Sequence, residues 1–310
     1  MRCSNIWNKC GRPKSAELIR DVLCSSLKTP TVTRWNSLFD SVQSLLKHKD
    51  KLSALCTTLN VTKFAMSDIE YLESYTKLME PIASAIDFLQ ADQHMYFGYF
   101  IAALISLKIK LTKFQESFEI RELGSVCSEL VDCLHKRFQK FFEGDEEANL
   151  AIIAAMSCPA VKLRFLSVLQ RTAPHLTVDV LKHLFIEHAA QFIPKSTNLA
   201  IQTTKTLEPS DSFLEFEDAS IGVPETTEQE EIRRQLETYL VDPNTSLNCL
   251  ENYKIIREVF LKFNTPIPSS APVERLFSFA GIVNAPRRKN LLDSNFEKLV
   301  LMKANNVQSN

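Results

Sequence analysis

Apolar residues recur at three- and four-residue spacing through most of this chain, and alternation of period two is almost absent, so the pattern predicts helices. A first run places Trp35, Leu38, Phe39, Val42, Leu45 and Leu46 on one face, with Thr33 as its N-cap. A second run carries Ile69, Leu72, Tyr75, Leu78 and Met79 up to Pro81. That proline lacks an N–H and predicts a kink or restart, leaving 82–89 as a separate piece. Further helices are expected over 99–114, 123–142, 150–156, 161–169 and 178–192, so residues 1–195 read as a helical array. From about 196 to 231 the pattern fails. Thr, Ser, Pro and acids predominate there, and Phe213, Leu214 and Phe216 are isolated apolar points. Too little apolar surface is available to offset the entropy of ordering, which predicts an acidic flexible linker. Helical character returns at 232–240 and 250–263, and beyond a turn at Pro266 and Pro268 two more helices complete residues 232–310. No internal repeat is evident.

A length of 310 residues suggests about two domains, and 45% hydrophobic with 24% charged residues is the composition of an ordinary globular protein. Six glycines argue against a β-rich or glycine-loop architecture. The net charge of −1 is no nucleic-acid signature in itself, but its distribution is uneven. Residues 1–50 carry nine Lys/Arg against four acids, residues 206–231 nine acids and no base, and residues 275–303 are again net positive. Basic ends around an acidic middle suit local phosphate contacts. Eight cysteines without a CxxC pair outline neither a zinc finger nor a disulfide scaffold, which points to reduced thiols in the cytosol or nucleus. The start of the chain has no apolar run suited to secretion, and the most apolar stretch, 97–107, is too short to cross a bilayer. No membrane partner is expected. The six histidines stand at no metal-ligand spacing, and no nucleophilic triad, phosphate loop or dinucleotide fingerprint is present.

The most informative segment is 269–305, SSAPVERLFSFAGIVNAPRRKNLLDSNFEKLVLMKAN. Ser270 can cap a helix whose first turn holds Ala271 and Pro272, with Leu276, Phe277 and Ala280 expected to pack inward. Glu274 then sits near a positive helix end, where it either complements the helix dipole or takes a chemical role. Arg287, Arg288 and Lys289 follow in the connecting loop, as a phosphate contact, a short import element or a solvated turn. Ser294 and Glu297 form a capping box for the last helix, on which Phe296, Leu299, Val300 and Lys303 share a stripe that Leu292 extends.

This segment resembles the C-terminal dimerisation region of hAT-superfamily transposases and their domesticated relatives. In that family the position of Glu274 is the third acid of a metal-binding triad on an RNase H-like fold, and the other two acids lie upstream of anything present here. Such acids hold two Mg or Mn ions about 4 Å apart, which a lone carboxylate cannot do. Similarly, Arg34 and Trp35 in PTVTRWNSLF resemble the motif that opens the family's helical insertion domain, where the tryptophan stacks on an unpaired base. Stacking of that kind is worth about 1–3 kcal/mol, and the alternative is that Trp35 anchors its own helix face. Weaker likenesses run through 78–111 and 156–166, where Ser157 and Cys158 replace the family's Leu-Asp. The region 248–262 lacks the paired tryptophans common in relatives, with Tyr253 the aromatic near that point.

The resemblance implies a mainly α chain: a helical insertion-domain array, then the C-terminal helices of a truncated RNase H-like fold. It implies a nuclear protein that is not an enzyme as it stands, with Glu274 vestigial and no cofactor. Its activity would be dimerisation with itself or with related transposase-like proteins through Leu276, Phe277, Phe279, Leu292, Phe296, Leu299 and Val300. Weak DNA affinity would come from Arg34, Trp35, Arg287, Arg288 and Lys289. The alternative is the C-terminal part of a metal-dependent transposase whose aspartates come from a longer chain or a partner. A further alternative for the last helix is intramolecular packing against 250–263.

Overall fold

Amphipathic helices supply the regular structure of the protein, seen in a computed structural model that describes residues 2–32, 36–91, 93–117, 123–191, 228–284 and 291–308. Among the described residues there is no strand, and the fold is mainly α. Thr33, Arg34, Trp35, residues 192–227 and the Arg287–Arg288–Lys289 cluster lie outside the described residues.

Four short helices open the chain: α1 (Arg2–Cys10), α2 (Pro13–Leu23), α3 (Ser37–Leu46) and α4 (Leu52–Leu59). The sequence pattern did not predict the first two. Pro13 starts α2 where its missing N–H is not needed, and Cys24 ends it in the left-handed region at φ 58°. Together they bury Ile6, Ile19, Leu23, Leu45 and Leu55 in one cluster, onto which Ile69 and Leu72 of α5 (Met66–Leu89) also pack. At the start of α5 the Asp68 carboxylate accepts the N–H of Ala65 at 2.7 Å.

The expected break at Pro81 does not occur, and α5 runs unbroken for 24 residues. A proline inside a helix costs about 3 kcal/mol. Here its ring is buried, and the helix is clasped by α3 on one side and α6 (Tyr99–Glu116) on the other, so packing offsets the lost hydrogen bond. A second cluster, with Leu78, Leu107, Leu111 and Cys127, joins α5 and α6 to α7 (Gly124–Arg137). The single run expected over 123–142 divides at Phe138 into α7 and α8 (Gln139–Glu143), which ends on Gly144 at φ 71°.

The largest core gathers around α9 (Asn149–Ser157), a helix buried continuously from Ala151 to Ser157. A helix apolar on every face can only be interior. It is surrounded by α6, α11 (Val178–Ala190) and α13 (Lys254–Asn264), with the short α10 (Leu166–Leu169) and α12 (Glu228–Val241) completing the same core. Residues 228–231, assigned to the linker by composition, are the first turn of α12. Three of its glutamates there face the positive helix end, where carboxylates are favourable. The core therefore unites segments on both sides of 192–227.

Directed hydrogen bonds fix this union. Asn264 donates from Nδ2 to the carbonyl of Ala154 at 3.1 Å and to Ser157 Oγ at 3.0 Å, while its Oδ1 accepts the N–H of Gly98 at 2.7 Å. At Gly98 a Cβ would meet the Ala154 carbonyl oxygen at 2.5 Å, so the close approach requires glycine. Tyr239 donates its hydroxyl to the Ser157 carbonyl at 2.9 Å. Lys162, held at φ 49°, donates to the carbonyls of Tyr239, at 2.8 Å, and of Asp242. Its Nζ also lies 4.5 Å from the centre of the Tyr239 ring. Burial lowers the Lys162 pKa and the nearby Asp242 carboxylate opposes that shift.

Asn264→Ala strands a buried Gly98 N–H and removes the hydrogen bond that the Ser157 hydroxyl accepts. It is expected to lower unfolding free energy by about 2–4 kcal/mol, read from the midpoint of urea denaturation. Gly98→Ala should produce a loss of the same sign through the Ala154 carbonyl.

Candidate functional site

The C-terminal hairpin, α14 (Ala271–Val283) and α15 (Asp293–Gln308), holds the residues singled out by sequence. Ser269 rather than Ser270 tethers the start of α14, its Oγ accepting the N–H of Ala271 at 3.1 Å. The Ser270 hydroxyl instead donates to Glu274 Oε1 at 2.7 Å. Glu274 is exposed in the first turn, and Ser278 donates its hydroxyl to the Glu274 carbonyl at 3.0 Å. Among the described residues, no three His, Cys, Asp or Glu side chains converge as a metal-binding group.

The buried face of α14 differs from the expected one. Leu276 and Phe277 were expected to pack inward, yet Phe277 is 69% exposed and Leu276 36%. The inward stripe is the four-residue series Ala271, Arg275, Phe279 and Val283, of which Ala271 and Val283 are buried. Arg275 belongs to this stripe because its guanidinium Nη2 donates to the carbonyl of Gln90, at the end of α5, at 3.0 Å. With Arg275 held inward by a backbone acceptor, its neighbours Leu276 and Phe277 face solvent.

On α15 the expected stripe is present: Val300 is buried, and Phe296, Leu299 and Lys303 are half-buried. The principal packing of α15 is on α14, whereas α13 packs on α9 and α12. Val300 is thus engaged within the chain. Phe279, Phe296 and Leu299 are partly so. Of the seven proposed interface residues, Leu276, Phe277 and Leu292 are exposed, Leu292 at 70%. The sequence reading missed Val273, Ile282, Leu301 and Met302, which are also exposed on the hairpin. Val273 was legible: it stands three and four residues before Leu276 and Phe277, on one helical stripe.

All eight cysteines are free thiols, and burial pushes up the pKa values of Cys3, Cys56, Cys127, Cys158 and Cys249. These positions pack as small hydrophobes. Among the described residues no helix is long and apolar enough to cross a membrane. No protein-family model matches the chain, and no curated protein matches it.

Arg275→Ala removes the hydrogen bond that anchors the hairpin to α5. Amide exchange across 271–308 should then accelerate about five-fold, the equivalent of about 1 kcal/mol, while exchange in α9 and α13 stays unchanged.

Proposed function

We propose that this chain is a transposase-derived protein that acts by association, with the α14–α15 hairpin as its dimerisation surface and Glu274 as a vestige of a metal-binding triad. The observation that carries the reading is the apolar exposure of the hairpin. Val273, Leu276 and Phe277 form one solvent-facing stripe, and Leu301 and Met302 add apolar surface on α15. Contiguous exposed apolar surface of this kind marks association sites. The resemblance of 269–305 to the hAT dimerisation region supplies the expected partner, a second copy or a related transposase-like chain. On this reading α13–α15 correspond to the last helices of an RNase H-like fold. The 287–289 cluster, with Arg34 and Trp35, would add weak DNA affinity and nuclear import. Sedimentation velocity should show a concentration-dependent dimer. Phe277→Glu should weaken it by at least about ten-fold without lowering thermal stability, since that ring is already in water. A chain that sediments as a monomer at all concentrations would refute the proposal.

The exposure of Glu274 favours a second reading, in which a partner or longer chain supplies two aspartates and the assembled site cuts DNA with Mg or Mn. Metal-dependent cleavage of hairpin or nicked DNA by the mixture, abolished by Glu274→Gln, is its expected signature. Cleavage that survives this substitution would assign the chemistry elsewhere.

A further inference from the structure

A cleft of about 320 Å³ opens between α6, α8 and the turn after α10, and it shares no lining residue with the hairpin. Its floor is apolar, from Ile105, Ile109, Phe142 and Leu169. Around that floor stand three cations, Lys108, Lys113 and Arg171, against a single acid, Glu116.

Lys108 carries most of the information. It is half-buried, its Nζ lies 4.4 Å from the centre of the Phe142 ring, and it is 3.4 Å from His135 Nδ1. The His135 ring in turn stacks on Phe142 at 5.7 Å between centroids. A ring face and an imidazole nitrogen are its observed partners, and neither brings a negative charge. Among the described residues, no carboxylate forms an ion pair with Lys108, Lys113 or Arg171. Burial lowers the Lys108 pKa, as expected for an ammonium partly removed from water.

An unpaired ammonium beside an apolar floor is complementary to an anion with an apolar body. We propose that this cleft is a binding site for a small monocarboxylate carrying an aliphatic chain. The chain would lie on Ile105, Ile109 and Leu169, and the carboxylate would meet Lys108 on one side and Arg171 at the mouth. The volume is at the lower end of the range for small-molecule sites, about 300–1,000 Å³, which suits a medium-chain acid. One half-buried cation and a guanidinium fork match a planar, singly charged carboxylate.

Calorimetric titration of the full chain with octanoate tests the assignment, with acetate and 1-octanol as probes of charge alone and body alone. Octanoate should saturate at one site per chain, and each control should bind at least about ten-fold more weakly, the worth of one charge-assisted hydrogen bond or of the buried chain. Lys108→Met should weaken octanoate by a similar factor, and Arg171→Gln, on an exposed turn, should weaken it in a chain whose fold is undisturbed. Octanoate binding no tighter than that of acetate or octanol overturns the proposal. So does full affinity retained in both variants.

Discussion

The structure turns on one side-chain amide. Asn264 sits at the last residue of α13, 4% exposed, and its three hydrogen bonds reach Gly98 before α6 and both Ala154 and Ser157 of α9. An apolar helix such as α9 gains burial free energy in many orientations, because the hydrophobic effect is non-directional. Hydrogen bonds from Asn264 and Tyr239 to its last turn select one orientation, since any other leaves buried polar groups unpaired. Ser157 is the shared point: its hydroxyl accepts from Asn264 and its carbonyl from Tyr239. The segments on either side of 192–227 are thereby locked in register by polar atoms, while Leu181, Phe185, Leu236 and Val259 supply the apolar bulk.

This network also gives a structural reason for Ser157 and Cys158 at the end of α9. The Ser157 hydroxyl donates to the Ala154 carbonyl at 2.9 Å while accepting from Asn264, a role no leucine could fill. Cys158 is 1% exposed in the core, where an ionised aspartate would carry a heavy desolvation cost. Both residues suit a buried helix end.

Much of the helical content was legible from periodicity alone. The runs at 99–114, 178–192 and 232–240 match α6, α11 and α12 to within a few residues, because each carries many apolar residues at three- and four-residue spacing. The failures share a different cause. α1 and α2 are short and polar on average, and although their apolar residues share one face, those buried are only pairs, Cys3 with Ile6 and Ile19 with Leu23. Pro81 misled because tertiary clasping by α3 and α6 overrides local propensity. In α14 nearly every position is apolar, so composition could not say which face turns inward. Arg275 decided it by finding a backbone acceptor 185 residues earlier in the chain, which no local window can show. Likewise the cleft around Lys108 joins three elements, which no local window brings together.

The hairpin differs from the rest of the molecule in what holds it. Each earlier helical group closes a cluster with several buried apolar residues, whereas α14 and α15 together bury Ala271, Val283 and Val300. Burial of so few small side chains offsets only part of the backbone entropy lost in ordering two helices. Intrahelical hydrogen bonds, half-buried side chains such as Phe279 and Phe296, and the Arg275–Gln90 bond narrow that gap, yet the exposed Phe277, Leu292 and Met302 contribute almost nothing in water. A two-helix unit so thinly buried would gain from a second apolar surface. The same imbalance that makes the hairpin marginal by itself is what the proposed association would relieve.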